Sequence, residues 1–221
     1  DGAPQFSRAV LEETARQFTV CPFELGLDLS AWCDVVIGDY NYLFDPVVRL
    51  HRFFDSAGDW LFLIDEAHNL PDRARAMYSA QFSKSSLTEA KRTLGKGKSP
   101  LKAALTRADK AFLETRKQTA EQGGTAFLQE LPAELLKPLH ALQAPLQDWL
   151  EQNPDAEAHA QLLDLYFAVQ DITRAAERYD EHFVTQLSAY GSDLTLQLLC
   201  LAPSAFVDAS LACGRAAALF S

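Results

Sequence analysis

The chain is poor in several features that would narrow its class at once. It has 221 residues but one methionine and four cysteines. No apolar run approaches the roughly 20 residues of a membrane-crossing helix, so no membrane span is expected. The start, "DGAPQFSRAVLEE", has neither an initiator methionine nor the basic-then-apolar pattern of a secretory leader. We therefore expect a piece excised from a longer protein. Cys21, Cys33, Cys200 and Cys213 form no C-x-x-C pair and lie far apart, which excludes a disulfide scaffold or zinc module and fits a reducing cytoplasm. Also missing is G-x-x-x-x-G-K-[ST], the loop whose backbone cradles nucleotide phosphates. "GKGKS" at 95–99 imitates its tail, but Arg92 stands where the first glycine belongs and no apolar strand precedes it.

The formal charge of −10 argues against a wholly basic nucleic-acid binder. Its distribution is uneven. From Lys84 to Lys117 stand Lys84, Lys91, Arg92, Lys96, Lys98, Lys102, Arg107, Lys110, Arg116 and Lys117, against Glu89, Asp109 and Glu114. Such a stripe can hold a phosphate backbone, and it is equally the pattern of a solvated helix face.

With 48% hydrophobic residues, the remainder reads as a folded α/β chain with a helix-dominated middle. Residues 7–18 suit a helix capped by Ser7, and "CPFELGLDLSAWC" an irregular link. Val35 to Ile37 and "WLFLID" read as buried strands, apolar on both faces as in a parallel sheet covered by helices, with Asp45-Pro46 as a stop. Ser86 to Glu89 has capping-box spacing, and Ser99-Pro100 offers a cap with proline in the first turn. Leu101, Leu105, Ala108 and Phe112 keep helical spacing. Pro138 and Pro145 predict a kinked or split helix over 131–150. Leu162, Leu165, Val169, Ile172, Ala176, Tyr179 and Phe183 form a heptad seam, predicting one helix of about 35 residues, on the order of 50 Å, ended by Gly191. "LTLQLLCLAP" is then a strand, "PSAFVDASLACG" a helix and "RAAALFS" a further buried strand, and the two flanks are expected to meet in one sheet.

The strand "LFLI" ends in Asp65-Glu66-Ala67-His68. A carboxylate at the C-terminal end of a parallel strand sits where open α/β sheets bind ligands. Asp65 there suits Mg²⁺, and Glu66 suits orienting or deprotonating an attacking water. Together they are the second half of a nucleotide-hydrolysis site, with His68 placed to link it to the other side of a cleft. A strand capped by turn-forming acids gives the same letters. The other histidines, His51, His140, His159 and His182, show no metal-ligand spacing.

The D-E-A-H run after an apolar strand resembles the Walker B motif of superfamily 2 helicases. "CPFE" at 21–24 followed by "DVVIGDYNYLFDP" at 34–46 is similar to the iron–sulfur helicases that include XPD, DinG and YoaA. The resemblance implies an α/β partial motor domain carrying a large, mostly α-helical "Arch" insertion. It implies the end of an iron–sulfur domain and a link at 1–30, the first part of motor domain 1 at 31–75, the insertion at 76–191 and a return to the motor at 192–221. It also implies a bacterial, cytoplasmic, ATP- and Mg²⁺-dependent 5′–3′ DNA helicase of repair or replication, with Asp65 on Mg²⁺, Glu66 activating water and His68 coupling hydrolysis to movement. Cys21 aligns with one of four ligands of a [4Fe–4S] cluster, which one thiolate cannot hold alone. Cys33 falls outside that motif and is expected to be a small buried residue, as are Cys200 and Cys213. Single-stranded DNA is the implied partner, with Tyr40, Asn41, Lys84, Lys91, Arg92, Lys96, Lys98 and Lys102 as candidate contacts. Phe82 and Phe112 suit base stacking or core. Two other classes stay open: a helical DNA- or protein-binding module without chemistry of its own, and an unrelated metal-dependent hydrolase built on Asp65, Glu66 and His68.

Overall fold

The computed structural model describes residues 6–221 and divides the chain into two units, residues 1–40 and 41–221. In the first unit Ser7 caps α1 (Arg8–Phe18), its hydroxyl accepting the Val10 N–H at 3.4 Å. Thr19 ends the helix in the left-handed region at φ 55°. The stretch expected as an irregular link is a second helix, α2 (Pro22–Ser30). Pro22 stands at its first position, where a missing N–H costs nothing, so the residue that reads as a breaker is the starter. Val35 to Ile37, expected as a buried strand, is not a strand. It is exposed, with Ile37 at 94%. An apolar β-branched triplet becomes a strand only where a neighbour takes its N–H and C=O groups, and among the described residues of this unit none does. Cys33, expected to be buried, is exposed.

The second unit begins with two single turns, α3 (Asn41–Phe44) and α4 (His51–Phe54), then β1 (Leu61–Ile64) and α5 (Leu70–Tyr78). It continues through β2 (Ala80–Ser83), α6 (Lys84–Thr93), α7 (Pro100–Glu121), β3 (Thr125–Leu128), α8 (Ala133–Gln152), α9 (His159–Glu177), β4 (Phe183–Tyr190) and β5 (Asp193–Cys200). It returns through α10 (Ser204–Leu211) to β6 (Ala216–Leu219).

The flanks do meet. β1 and β6 pair in parallel, from Leu61 opposite Ala216 to Ile64 opposite Leu219. Their burial departs from the expectation. Ile64 is buried, but Leu61 and Leu63 are 69% and 73% exposed and every residue of β6 is exposed. The apolar composition of both faces anticipates cover that the described residues supply fully at Ile64 and in part at Phe62. The strands approach closely at their start, where a Cβ on Gly214 would lie 2.8 Å from Phe62 Cδ2 and 3.1 Å from the Trp60 carbonyl oxygen. Glycine is the residue that fits there.

The middle block contains a sheet that its helical periodicity conceals. β2, β5, β4 and β3 lie in that order, all antiparallel. The expected helix of about 35 residues stops at Glu177. Leu162, Leu165, Val169 and Ile172 are buried as a helical seam, but Phe183, Thr185 and Leu187 are buried with the period-two alternation of β4. Between them the Asp180 carboxylate accepts the His182 N–H at 2.9 Å and turns the chain. Gly191, expected to end that helix, opens the two-residue hairpin between Tyr190 and Asp193 with φ 57°. β5 was expected with the returning flank. Instead it pairs with β4 and β2, so the chain leaves this sheet after Cys200.

Of the kinked or split helix expected over 131–150, the split does not occur: α8 runs unbroken through Pro138 and Pro145, and Leu135, Leu139, Leu142, Leu146 and Leu150 bury one continuous stripe. α6 starts at Lys84, so Ser86 lies inside it instead of capping it. The Asp193 carboxylate accepts the Ser85 N–H at 2.9 Å and serves that end. Ser99 does cap α7, accepting the Lys102 N–H at 3.2 Å. Phe82 and Phe112 are fully buried with ring centroids 5.4 Å apart, which makes them core and excludes base stacking. A small cluster of Tyr78, Phe183 and Cys200 packs the antiparallel sheet against the end of α5, with Phe206 of α10 stacked on Tyr78 at 4.4 Å. Among the described residues no helix is long and apolar enough to cross a membrane.

Candidate active site

The parallel pair aims its carboxyl end at a short acidic turn. Ile64 anchors the end of β1 in the interior, and Asp65 emerges exposed. One Asp65 carboxylate oxygen accepts the Glu66 N–H at 2.7 Å. Glu66 has φ 50° and ψ 40°, left-handed values that cost a side-chain-bearing residue about 1 kcal/mol or more. A 3₁₀ turn over Ala67–Asn69 follows, and Pro71 lies in the first turn of α5. The Glu66 carboxylate and the His68 ring lie 3.4 Å apart, both largely exposed. All three sequence-predicted residues are thus brought to one solvent-facing edge at the end of a parallel strand.

Two residues that the motif does not name hold this turn from the far end of the chain. The Ala67 N–H donates to the Phe220 carbonyl at 2.9 Å, the His68 N–H donates to the Ser221 hydroxyl at 3.2 Å, and the Phe220 N–H donates to the Ile64 carbonyl at 3.0 Å. The signal in the sequence was the apolar run "AAALFS"; its pairing with β1 is a long-range fact.

The exposed carboxylate of Asp65 is a hard oxygen donor of the kind Mg²⁺ takes, so the donor set fits that ion. When bound, the ion would neutralise phosphate charge. Glu66 would hold a water by its carboxylate, and His68 would orient that carboxylate from the side. Cys21 is exposed at the start of α2, and with Cys33 it supplies two cysteines in that unit, which does not fit a four-thiolate cluster. Tyr40 and Asn41 are half-buried. The "GKGKS" loop lies between α6 and α7, on the middle block, where the Lys102 ammonium donates to the Gly95 carbonyl at 2.6 Å.

The basic stripe is divided in its roles. Lys84 and Lys91 both face Asp109, at 3.1 and 2.8 Å. The contact with Lys84 is a charge pair without good hydrogen-bond alignment. Burial pushes the Asp109 carboxyl up, and the two ammonium groups outweigh it, leaving the group below the usual carboxylate range. Arg116 donates to the Gly191 carbonyl and ties α7 to the hairpin. One trio of possible metal ligands among the described residues was not legible as such: Asp180, Glu181 and His182 bring a donor each within 4.8 Å of one another. The internal bonds from His182 to Asp180 account for that turn.

The DEAD_2 family model matches residues 5–87, the segment that contains this turn. A chicken protein, the Fanconi anemia group J protein homolog, is 32% identical over 84 residues, 38% of this chain and 7% of that protein. The helicase subunit XPD of the general transcription and DNA repair factor IIH from fission yeast (strain 972) is 27% identical over 84 residues, 38% of this chain and 11% of that protein. Over residues 5–87 the chain is similar to the XPD-type helicases. The matched segment carries α1 to α5, β1 and the acidic turn, and it ends within α6. The matched stretch is a small part of either relative.

Proposed function

We propose that this chain supplies part of the first motor domain, together with an Arch-like insertion, of an ATP-dependent 5′–3′ DNA helicase acting on single-stranded DNA in repair or replication, in a bacterial cytoplasm. The observation that carries the reading is the exposed acidic turn at the carboxyl end of a parallel strand, inside the DEAD_2 match. In this reading residues 1–30 close an iron–sulfur domain and 31–75 open the motor. The insertion starts at 76, and the motor resumes beyond the antiparallel sheet. Cys21 is one cluster ligand, the other three coming from sequence outside this chain, as does the phosphate-binding loop. Asp65 binds Mg²⁺ of the nucleotide, Glu66 takes a proton from the attacking water, and His68 relays the state of that site. Tyr40 and Asn41 lie near the DNA.

The test is Glu66→Gln in a full-length protein that carries this segment. ATP turnover should fall by several orders of magnitude with nucleotide affinity kept. Turnover that survives rejects the assignment. ATP hydrolysis by the 221-residue chain alone would reject the division of the site between this chain and other sequence.

A further inference from the structure

We propose that Asp109 divides the basic stripe: it locks Lys84 and Lys91 into the packing of α6 on α7, and it leaves Arg92, Lys96 and Lys98 at the α6–α7 turn as the cations that meet the phosphates of a single-stranded nucleic acid. The proposal rests on the nucleic-acid reading above and names the surface that reading leaves open.

Ten cations in one window are a poor guide to what a polyanion touches, because each is worth only what it does not already spend on its own fold. Lys84 has a side chain 12% exposed and an ammonium 3.1 Å from the Asp109 carboxylate. Lys91 donates to the other oxygen of the same carboxylate at 2.8 Å. Turning either toward a phosphate would strip a half-buried carboxylate of a partner. Lys102 is spent on the Gly95 carbonyl and Arg116 on the Gly191 carbonyl.

Arg92, Lys96 and Lys98 differ in each respect. They are exposed, and among the described residues no carboxylate pairs with any of them. They follow one another through the last turn of α6 and the loop before Ser99. Gly95 and Gly97 hold that loop at φ 63° and 136°, keeping Lys96 between two residues without side chains. Three cations on a short, open turn are complementary to a phosphate backbone. Contacts of this kind position a strand without reading its sequence.

The experiment measures binding of the 221-residue chain to fluorescent oligo(dT) across a salt series, with thermal unfolding recorded for each variant. Removing Lys96 and Lys98 together, by Lys96→Ala and Lys98→Ala, should weaken binding on the order of tenfold at low salt and reduce the slope of log K against log salt by about 1.4. The melting temperature should not move. Lys91→Ala and Asp109→Asn should do the reverse, lowering the melting temperature and leaving the salt slope as it is. A Lys91→Ala variant that loses slope like the loop variant, or a loop variant that binds like wild type, overturns the division. Wild type that fails to bind oligo(dT) at low salt overturns the contact surface through the nucleic-acid reading, and the Glu66→Gln turnover test judges the motor assignment apart from it.

Discussion

The His68 backbone N–H donates to the Ser221 hydroxyl at 3.2 Å, across 153 positions of sequence. With the Ala67 N–H on the Phe220 carbonyl, it ties the acidic turn to the end of β6. The turn is therefore not set by its own four letters. Ser221→Ala removes one hydroxyl acceptor from an exposed N–H, a loss of about 0.5–1 kcal/mol. In a full-length protein carrying this segment we expect kcat for ATP to fall severalfold with KM nearly unchanged, since the turn and not the nucleotide loses a contact. Steady-state kinetics across ATP concentrations decide it; an equal loss in KM alone would speak against positioning.

Glu66 pays for its place with a left-handed backbone at φ 50°. Glu66→Gly should relieve about 1 kcal/mol and raise the melting temperature by roughly 2–4 °C, read by calorimetry. The same variant should lack turnover in the full-length protein. A lower melting temperature would show that the side chain stabilises the turn more than the backbone strains it.

Gly214 sits against the Phe62 ring and the Trp60 carbonyl. Gly214→Ala should destabilise the chain by about 1–3 kcal/mol through overpacking. In denaturant titrations, pairing it with Phe62→Ala should recover part of that loss, because the two sites share one space. Strict additivity of the two variants would place the clash elsewhere.

The Asp109 carboxyl lies below its ordinary value in the folded chain, so its ion pairs contribute stability that is complete above the unfolded-state value. That contribution is lost as pH falls through the folded-state value, below the ordinary carboxylate range. At neutral pH, Asp109→Asn should cost about 2 kcal/mol, since it leaves Lys84 and Lys91 without their anion. The gap to wild type should close as acid is added, measured by urea midpoints from pH 6 down to 3. A gap that widens in acid would contradict the sign.

What could be read along the chain was whatever depends on near neighbours. Ser7 and Ser99 as caps, the buried face of Leu101, Leu105, Ala108 and Phe112, and the acids ending "LFLI" are each fixed within a few residues, by a cap hydroxyl, a 3.6-residue period or the change from apolar strand to turn. The seam of α9 was legible as far as Ile172, and its continuation was not. Phe183 fits both a heptad and a period of two, and only the pairings of Phe183 with Cys200 on β5 and of Thr185 with Leu128 on β3 make the segment a strand.

Tertiary structure decided the rest, because the deciding partners lie far off in sequence. Lys84 and Lys91 look like free surface charge until Asp109 is folded onto them. Val35 to Ile37 has strand composition, but no neighbour among the described residues of its unit completes a ladder. Leu61 and Leu63 are apolar enough for a core, and whether they are covered depends on which elements reach them. Sequence by itself determined where the apolar strand gives way to Asp65, Glu66 and His68. The hydrogen bonds that hold that turn, the sheet hidden in the helical block and the division of the lysines were settled by contacts that no local pattern encodes, since a residue's spacing reports its own element and not the one packed against it.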